Sequence, residues 1–227
     1  MNIFEDQDKI ISELQKNHKK ILKFYKNTEE YLYRGQKPFG NIILKNYPNN
    51  RIPRDSNQES HDFMNKILSK TGFNVNRSNS IAVTKEMNHA KNYGSLYIIF
   101  PSDTSFYLWS DDYLDFGELV DLEGYALNFV VFLEETNNFV NSDILLNKLH
   151  SFIEKNNKAP VKKIMSILQK NPNLEKEFFN FYIKYNKIKE TNLVENLKKF
   201  KGEVMITNKS YYAIEYEYFI KSIYPLI

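Results

Sequence analysis

The sequence predicts an α+β fold. Short apolar runs, each closed by glycine, proline or a polar turn, recur at Tyr31–Arg34, Ile81–Thr84, Ser95–Phe100, Phe106–Trp109, Glu203–Ile206 and Tyr211–Ile214, at strand length. Helix-period stripes lie between them, over 9–26, from Ser56 to Gly72, and across 142–200. The length, 227 residues, suits one domain spanning 1–227 with a full core.

Residues 1–28 are expected to form one N-terminal helix. Ile10, Ile11, Leu14, Ile21, Leu22 and Tyr25 fall at helical spacing, and Asp6 or Asp8 is placed to cap it. His18, on or near that stripe, reads as structural, because no second histidine or carboxylate stands at metal spacing. The strand Tyr31–Arg34 stops at Gly35, where the Arg34 guanidinium can project over a cleft and the backbone can approach a ligand closely. Pro38, Gly40, Pro48 and Pro53 then punctuate a long loop carrying Arg51 and Arg54. Ser56-Asn57-Gln58-Glu59 has the capping-box pattern. It opens a helix through Phe63, Met64, Ile67 and Leu68 that Gly72 ends. His61, in its first turn, either sits on the surface or lines the cleft.

After the strand Ile81–Thr84, Thr84 can cap a short helix that carries Ala90 and ends at Tyr93-Gly94. Small hydroxyls at the start of this unit can hydrogen-bond a ribose, or serve only as turn and cap groups. Strands Ser95–Phe100 and Phe106–Trp109 follow. The stretch 111–135 is acidic around the apolar run Phe129–Leu133. Residues 142–200 read as a helical insertion, with stripes at Leu145–Ile153, Val161–Leu168 and Phe178–Tyr185 separated by Pro160 and Pro172. In the strand Glu203–Ile206, Val204 and Ile206 share one face, and Glu203 and Met205 the other. A turn at Asn208-Lys209-Ser210 leads to the strand Tyr211–Ile214.

Composition narrows the chemistry. There is no cysteine, which excludes disulfides, a thiolate nucleophile and cysteine-based zinc sites, and suits a reducing cytoplasm. No apolar leader and no membrane-length run stand in the sequence, so a soluble intracellular protein without a membrane partner is expected. The formal net charge of +3 is unevenly spread. Nine acidic residues and no Lys or Arg lie between Asp103 and Glu135, whereas thirteen Lys face five Glu from Asn147 to Lys201. Such asymmetry gives one face suited to a polyanion, or simply a solvated helical face.

Three signals stand in order: an arginine before glycine on an early strand, a hydroxyl-bearing strand leading to a capped helix, and a glutamate opening a late strand. Glu203 is either a solvated strand end or a fixed charge beside a developing cation. In this order Tyr33-Arg34-Gly35, the Ala90…Tyr93-Gly94 helix end and Glu203-Val204-Met205-Ile206 resemble the ADP-ribosyltransferases of the Arg–Ser–Glu type. Their Ser-Thr-Ser falls on Ala82-Val83-Thr84 by distance to Ala90, and on Ser78-Asn79-Ser80 by residue type, so Ser80 and Thr84 share that role. The resemblance implies a split β-sheet core with flanking helices, NAD as substrate and no metal. It makes Glu203 the stabiliser of an oxocarbenium-like transition state. Arg34 with Gly35 becomes the diphosphate site, with Arg51, Arg54 and Arg77 in reserve. Tyr93 becomes the ring on nicotinamide, ahead of Tyr97 and Trp109. Two residues before the glutamate the family carries Glu or Gln; here stands Lys201, which argues against protein arginine as acceptor. Lys198, Lys199 and Lys201 instead suit a nucleobase of RNA or single-stranded DNA. A protein acceptor, or water in an NAD glycohydrolase, is the enzymatic alternative; a basic nucleic-acid-binding module is the non-enzymatic one. Members of that family of this size and style are common among bacterial toxins, phage-defence toxin–antitoxin systems and phage effectors, so the resemblance implies an inhibitory antitoxin protein as a further partner, with the acidic 103–135 segment as its contact.

Overall fold

The computed structural model describes residues 3–52, 58–112, 128–129, 131–133 and 166–227. The fold is α+β, with one eight-stranded sheet in which every pairing is antiparallel. In chain order the strands are β1 (Tyr33–Gln36), β2 (Ile42–Asn46), β3 (Ile81–Thr84), β4 (Ser95–Pro101), β5 (Phe106–Ser110), β6 (Ile188–Thr191), β7 (Glu203–Thr207) and β8 (Ser210–Glu215). Across the sheet they run β2-β8-β4-β1-β3-β7-β5-β6. Among the described residues, the α-helices of five residues or more are α1 (Ile3–Asn17), α2 (Lys19–Thr28), α3 (Gln58–Lys70), α4 (Met87–Lys91) and α5 (Pro172–Tyr185).

The sheet is narrowest at its centre. β1 matches β4 over four residue pairs, and β3 matches β7 over four, but β1 meets β3 at the single pair Tyr33↔Thr84. Two half-sheets of four strands therefore join at one point. Each side of the sheet carries its own core. Val204 and Ile206 pack with Leu14, Ile21 and Tyr25 of α1 and α2, while Met205 and Leu108 pack with Phe63, Ile67, Phe178 and Tyr182 of α3 and α5. The period-two alternation of β7 thus feeds two cores at once. Buried Tyr25 ties the first half-sheet to α2: its hydroxyl donates to the Ile99 carbonyl at 2.5 Å and accepts from the Leu32 amide at 3.3 Å.

Four expectations are corrected. The N-terminal helix is two helices, broken at buried His18. Asp103, from the β4–β5 turn, holds the break: its carboxylate accepts from the Lys20 amide at 2.8 Å and its own amide donates to the Asn17 carbonyl at 2.9 Å. One residue so caps both helix ends. β1 continues through Gly35 to Gln36. The long loop expected after Gly35 contains β2, paired along its length with β8. The expected helical stretch 142–200 contains β6, which follows a left-handed turn at Lys187 (φ 46°) and pairs with β5. Arg54, the start of the capping box, and the stripes over 145–153 and 161–165 lie outside the described residues.

Candidate active site

The β1–β3 junction opens into a cleft of about 960 Å³. Among its lining residues are Arg34 and Gly35 of β1, Thr84 of β3, Tyr93 after α4 and Glu203 of β7, together with Arg51 and Arg77. Residues from both ends of the chain thus share one cavity. Thr84 stands directly opposite Glu203 in the β3–β7 ladder and opposite Tyr33 on its other side. Cross-strand partners point to the same face, with neighbouring strands about 4.8 Å apart. Thr84 Oγ1 accepts from the Glu86 amide at 3.0 Å, closing the turn into α4, and its hydroxyl proton remains a donor.

Arg34 spans the gap where β1 and β3 stop pairing. Its Nη1 donates to the Ala82 carbonyl oxygen at 2.5 Å, a side-chain bond between the half-sheets beside their one backbone pair. Gly35 has a different reason from the one its sequence context suggests. A Cβ built there would lie 1.8 Å from the Ala90 carbonyl oxygen and 3.0 Å from Tyr93 Cβ. The absent side chain makes room for α4, and α4 in turn sets His89 and Tyr93 on the cleft wall. Gly94 completes the seat, at φ 129° with its own virtual Cβ 2.6 Å from the Gln36 carbonyl.

The cleft is electropositive. Arg34, Lys37, Lys45, Arg51 and Arg77 line it against one carboxylate, Glu203, among the described lining residues. Neighbouring groups respond to this field. Burial, and then the Arg34 charge, hold the Lys45 ammonium below its ordinary range. Burial raises the Tyr211 phenol, while Arg34 pulls it the other way. His61 is 2% exposed, and burial followed by the charges of Arg77 and Arg51 favours its neutral form. It is therefore neither a surface residue nor a cleft-lining one. Its Nε2 lies 3.1 Å from Ser78 Oγ, which also accepts from Asn65 Nδ2 at 2.7 Å, and the Ser78 carbonyl accepts from the Arg51 amide at 3.0 Å. This network supports the wall that carries the two arginines. Glu190 of β6 anchors the same loop, accepting from the Val75 amide at 2.7 Å and from Asn74 Nδ2 at 2.9 Å.

Other sequence candidates fall elsewhere. Ser80 is fully buried and its hydroxyl donates to the Asn76 carbonyl at 2.5 Å, so Thr84 alone of the two lines the cleft. Tyr97 is buried on β4, and Trp109 is buried on β5 with its Nε1 donating to Asp111 at 3.0 Å; neither lines the cleft, whereas Tyr93 does and is 56% exposed. Lys198, Lys199 and Lys201 are exposed and outside the lining. Gln36, Lys37, Phe39, Lys45 and His89 were not foreseen. Gln36 Nε2 and His89 Nε2 are buried without a hydrogen-bond partner among the described residues. No group of three or more potential metal ligands gathers among the described residues, and no described helix is long and apolar enough to cross a membrane. Compared with family models, curated proteins and solved structures, the chain matches none.

Proposed function

We propose that the chain is an NAD-dependent ADP-ribosyltransferase that modifies a nucleobase of RNA or single-stranded DNA. The observation that carries this reading is the convergence of Arg34, Thr84 and Glu203 on one cleft from three strands. One carboxylate and five cations among the described lining residues suit a ligand that is anionic at its phosphates and turns cationic at one carbon. Arg34 holds the diphosphate by charge-assisted hydrogen bonds, with Arg51 and Arg77 in reach of the same cavity. Glu203 accepts from the ribose 2′-hydroxyl and stabilises positive charge at C1′ as the bond to nicotinamide breaks. Nicotinamide leaves neutral with the electron pair, the acceptor nitrogen or oxygen forms the new bond to C1′, and its proton passes to solvent. Thr84 orients the carboxylate or the ribose, and Tyr93 stacks on the departing ring. On this reading the protein works in the cytoplasm and is held in check by an inhibitory antitoxin protein.

The test is NAD labelled in its adenylate half, incubated separately with total RNA, single-stranded DNA and lysate protein. Label on nucleic acid is the expected result. Label on protein, or free ADP-ribose alone, replaces the acceptor with a side chain or water. Intact NAD in all three rejects the enzyme reading. Glu203→Gln keeps size and removes charge, and is expected to cost about a hundredfold or more in turnover with the fold intact.

A further inference from the structure

Phe39 is an exposed ring among the residues that line the cleft. It is 62% exposed, yet its backbone is held from below by Tyr97, itself 1% exposed. The Tyr97 hydroxyl accepts from the Phe39 amide at 3.0 Å and donates to the Gly40 carbonyl at 2.9 Å. Lys45 Nζ sits 4.4 Å from the centroid of the Phe39 ring and donates to Gln36 Oε1 at 2.9 Å. An exposed ring is therefore presented by a hydrogen-bonded backbone, with an ammonium set over it. Lys37 stands two residues before it, and Phe39, Lys37 and Tyr93 all line the cleft that Arg51 and Arg77 also line. Exposed aromatic rings set among cations are what an unpaired nucleic-acid strand recognises, stacking its bases on the rings while the cations track its phosphates. A duplex offers no free base face to such a ring.

We propose that the acceptor strand docks at this lip of the cleft, with an unpaired base stacked on Phe39 and a backbone phosphate at Lys37. The chemistry named is a single-stranded polynucleotide, and its docking surface lies on the β1–β2 loop rather than on Lys198, Lys199 and Lys201. The proposal deepens the transferase reading by seating its acceptor, but its test contains no NAD, so the two can fail separately.

The experiment is fluorescence anisotropy of the intact chain with labelled oligo-U, oligo-dT and a duplex of mixed sequence, across a salt series. Both single strands, or one of them, are expected to bind at least tenfold more tightly than duplex; which one binds better names RNA or DNA as the source. Phe39→Ala is expected to weaken single-strand binding by about 5- to 150-fold, the usual worth of one stacked base. Lys37→Gln is expected to flatten the salt dependence by about one in slope. Phe39→Trp should bind like the parent, and its new indole emission should fall as oligonucleotide is added, over the background of buried Trp109. Equal affinity for duplex and single strand, unchanged affinity in Phe39→Ala, or an unquenched Phe39→Trp overturns the proposal. So does an absence of nucleic-acid binding in the parent, even where NAD is consumed.

Discussion

Gly35→Ala isolates what the seat of α4 contributes. The added methyl would stand 1.8 Å from the Ala90 carbonyl oxygen and 2.9 Å from its carbon, both backbone atoms that cannot rotate aside. A carbon and an oxygen in ordinary contact need about 3.3 Å, so α4 must retreat from β1 by about 1.5 Å. Overpacking of this kind costs about 1–3 kcal/mol. For a chain of this size that lowers Tm by about 2–12 °C. The same retreat carries Tyr93 and His89 away from Arg34, and a displacement near 1 Å at a reacting centre costs about a hundredfold in rate. Calorimetry or denaturant unfolding gives the stability term, and NAD turnover the other. Gly40→Ala is the control: Gly40 has nothing within 4 Å of its virtual Cβ but sits at φ 108°, so it pays in backbone strain without moving α4. A Gly35→Ala protein with parental Tm and parental turnover would refute the argument that α4 is seated through this glycine.

Arg34→Ala removes both a cation of the cleft and the bond to Ala82, so ligand affinity and stability should fall together, the latter by about 1–3 kcal/mol; a loss of affinity with unchanged urea midpoint would show that the bond between half-sheets contributes nothing. His18 and His61 are both buried and both held below the ordinary 6.5, chiefly by desolvation. The unfolded chain therefore binds protons that the folded chain refuses as pH falls below 6.5, and stability should decline on the acid side by up to about 1.4 kcal/mol per pH unit for each. Urea midpoints measured from pH 8 to 5 check this: His61→Gln should flatten the slope, and an unaltered slope would remove His61 from the account. Glu190→Gln should lower stability by about 1 kcal/mol and loosen the loop before β3, seen as faster amide exchange at Val75; unchanged exchange there would refute it.

Strands with strong local punctuation were legible in the chain. Ile81–Thr84 is bounded by polar turns and has the same limits in the structure. β2 was hidden because it is a half-exposed edge strand inside a proline- and glycine-marked stretch, with Leu44 58% exposed. β6 was hidden because Ile188 is its one apolar residue, and its ladder to β5 is a tertiary fact. The break at His18 depends on Asp103, distant in sequence, so periodicity runs straight through it. At the cleft, Arg34 and Glu203 were readable because a glycine adjoins each of them and Glu203 opens its strand. Ser80 misled because a hydroxyl of the right type was spent on the carbonyl four residues back. Lys45 was unreadable, since β2 lies three places from β1 in the sheet and the bond of its ammonium to Gln36 is a tertiary contact.

The single pair Tyr33↔Thr84 has a mechanical consequence. Arg34 hangs from one half-sheet and Glu203 from the other, so a ligand held by both would bridge the seam between them. Any compound gripped from both banks doubles as a suture. Its binding would add to the one backbone pair and the Arg34–Ala82 bond that already tie the two banks, so a bound ligand is expected to raise the stability of the folded chain.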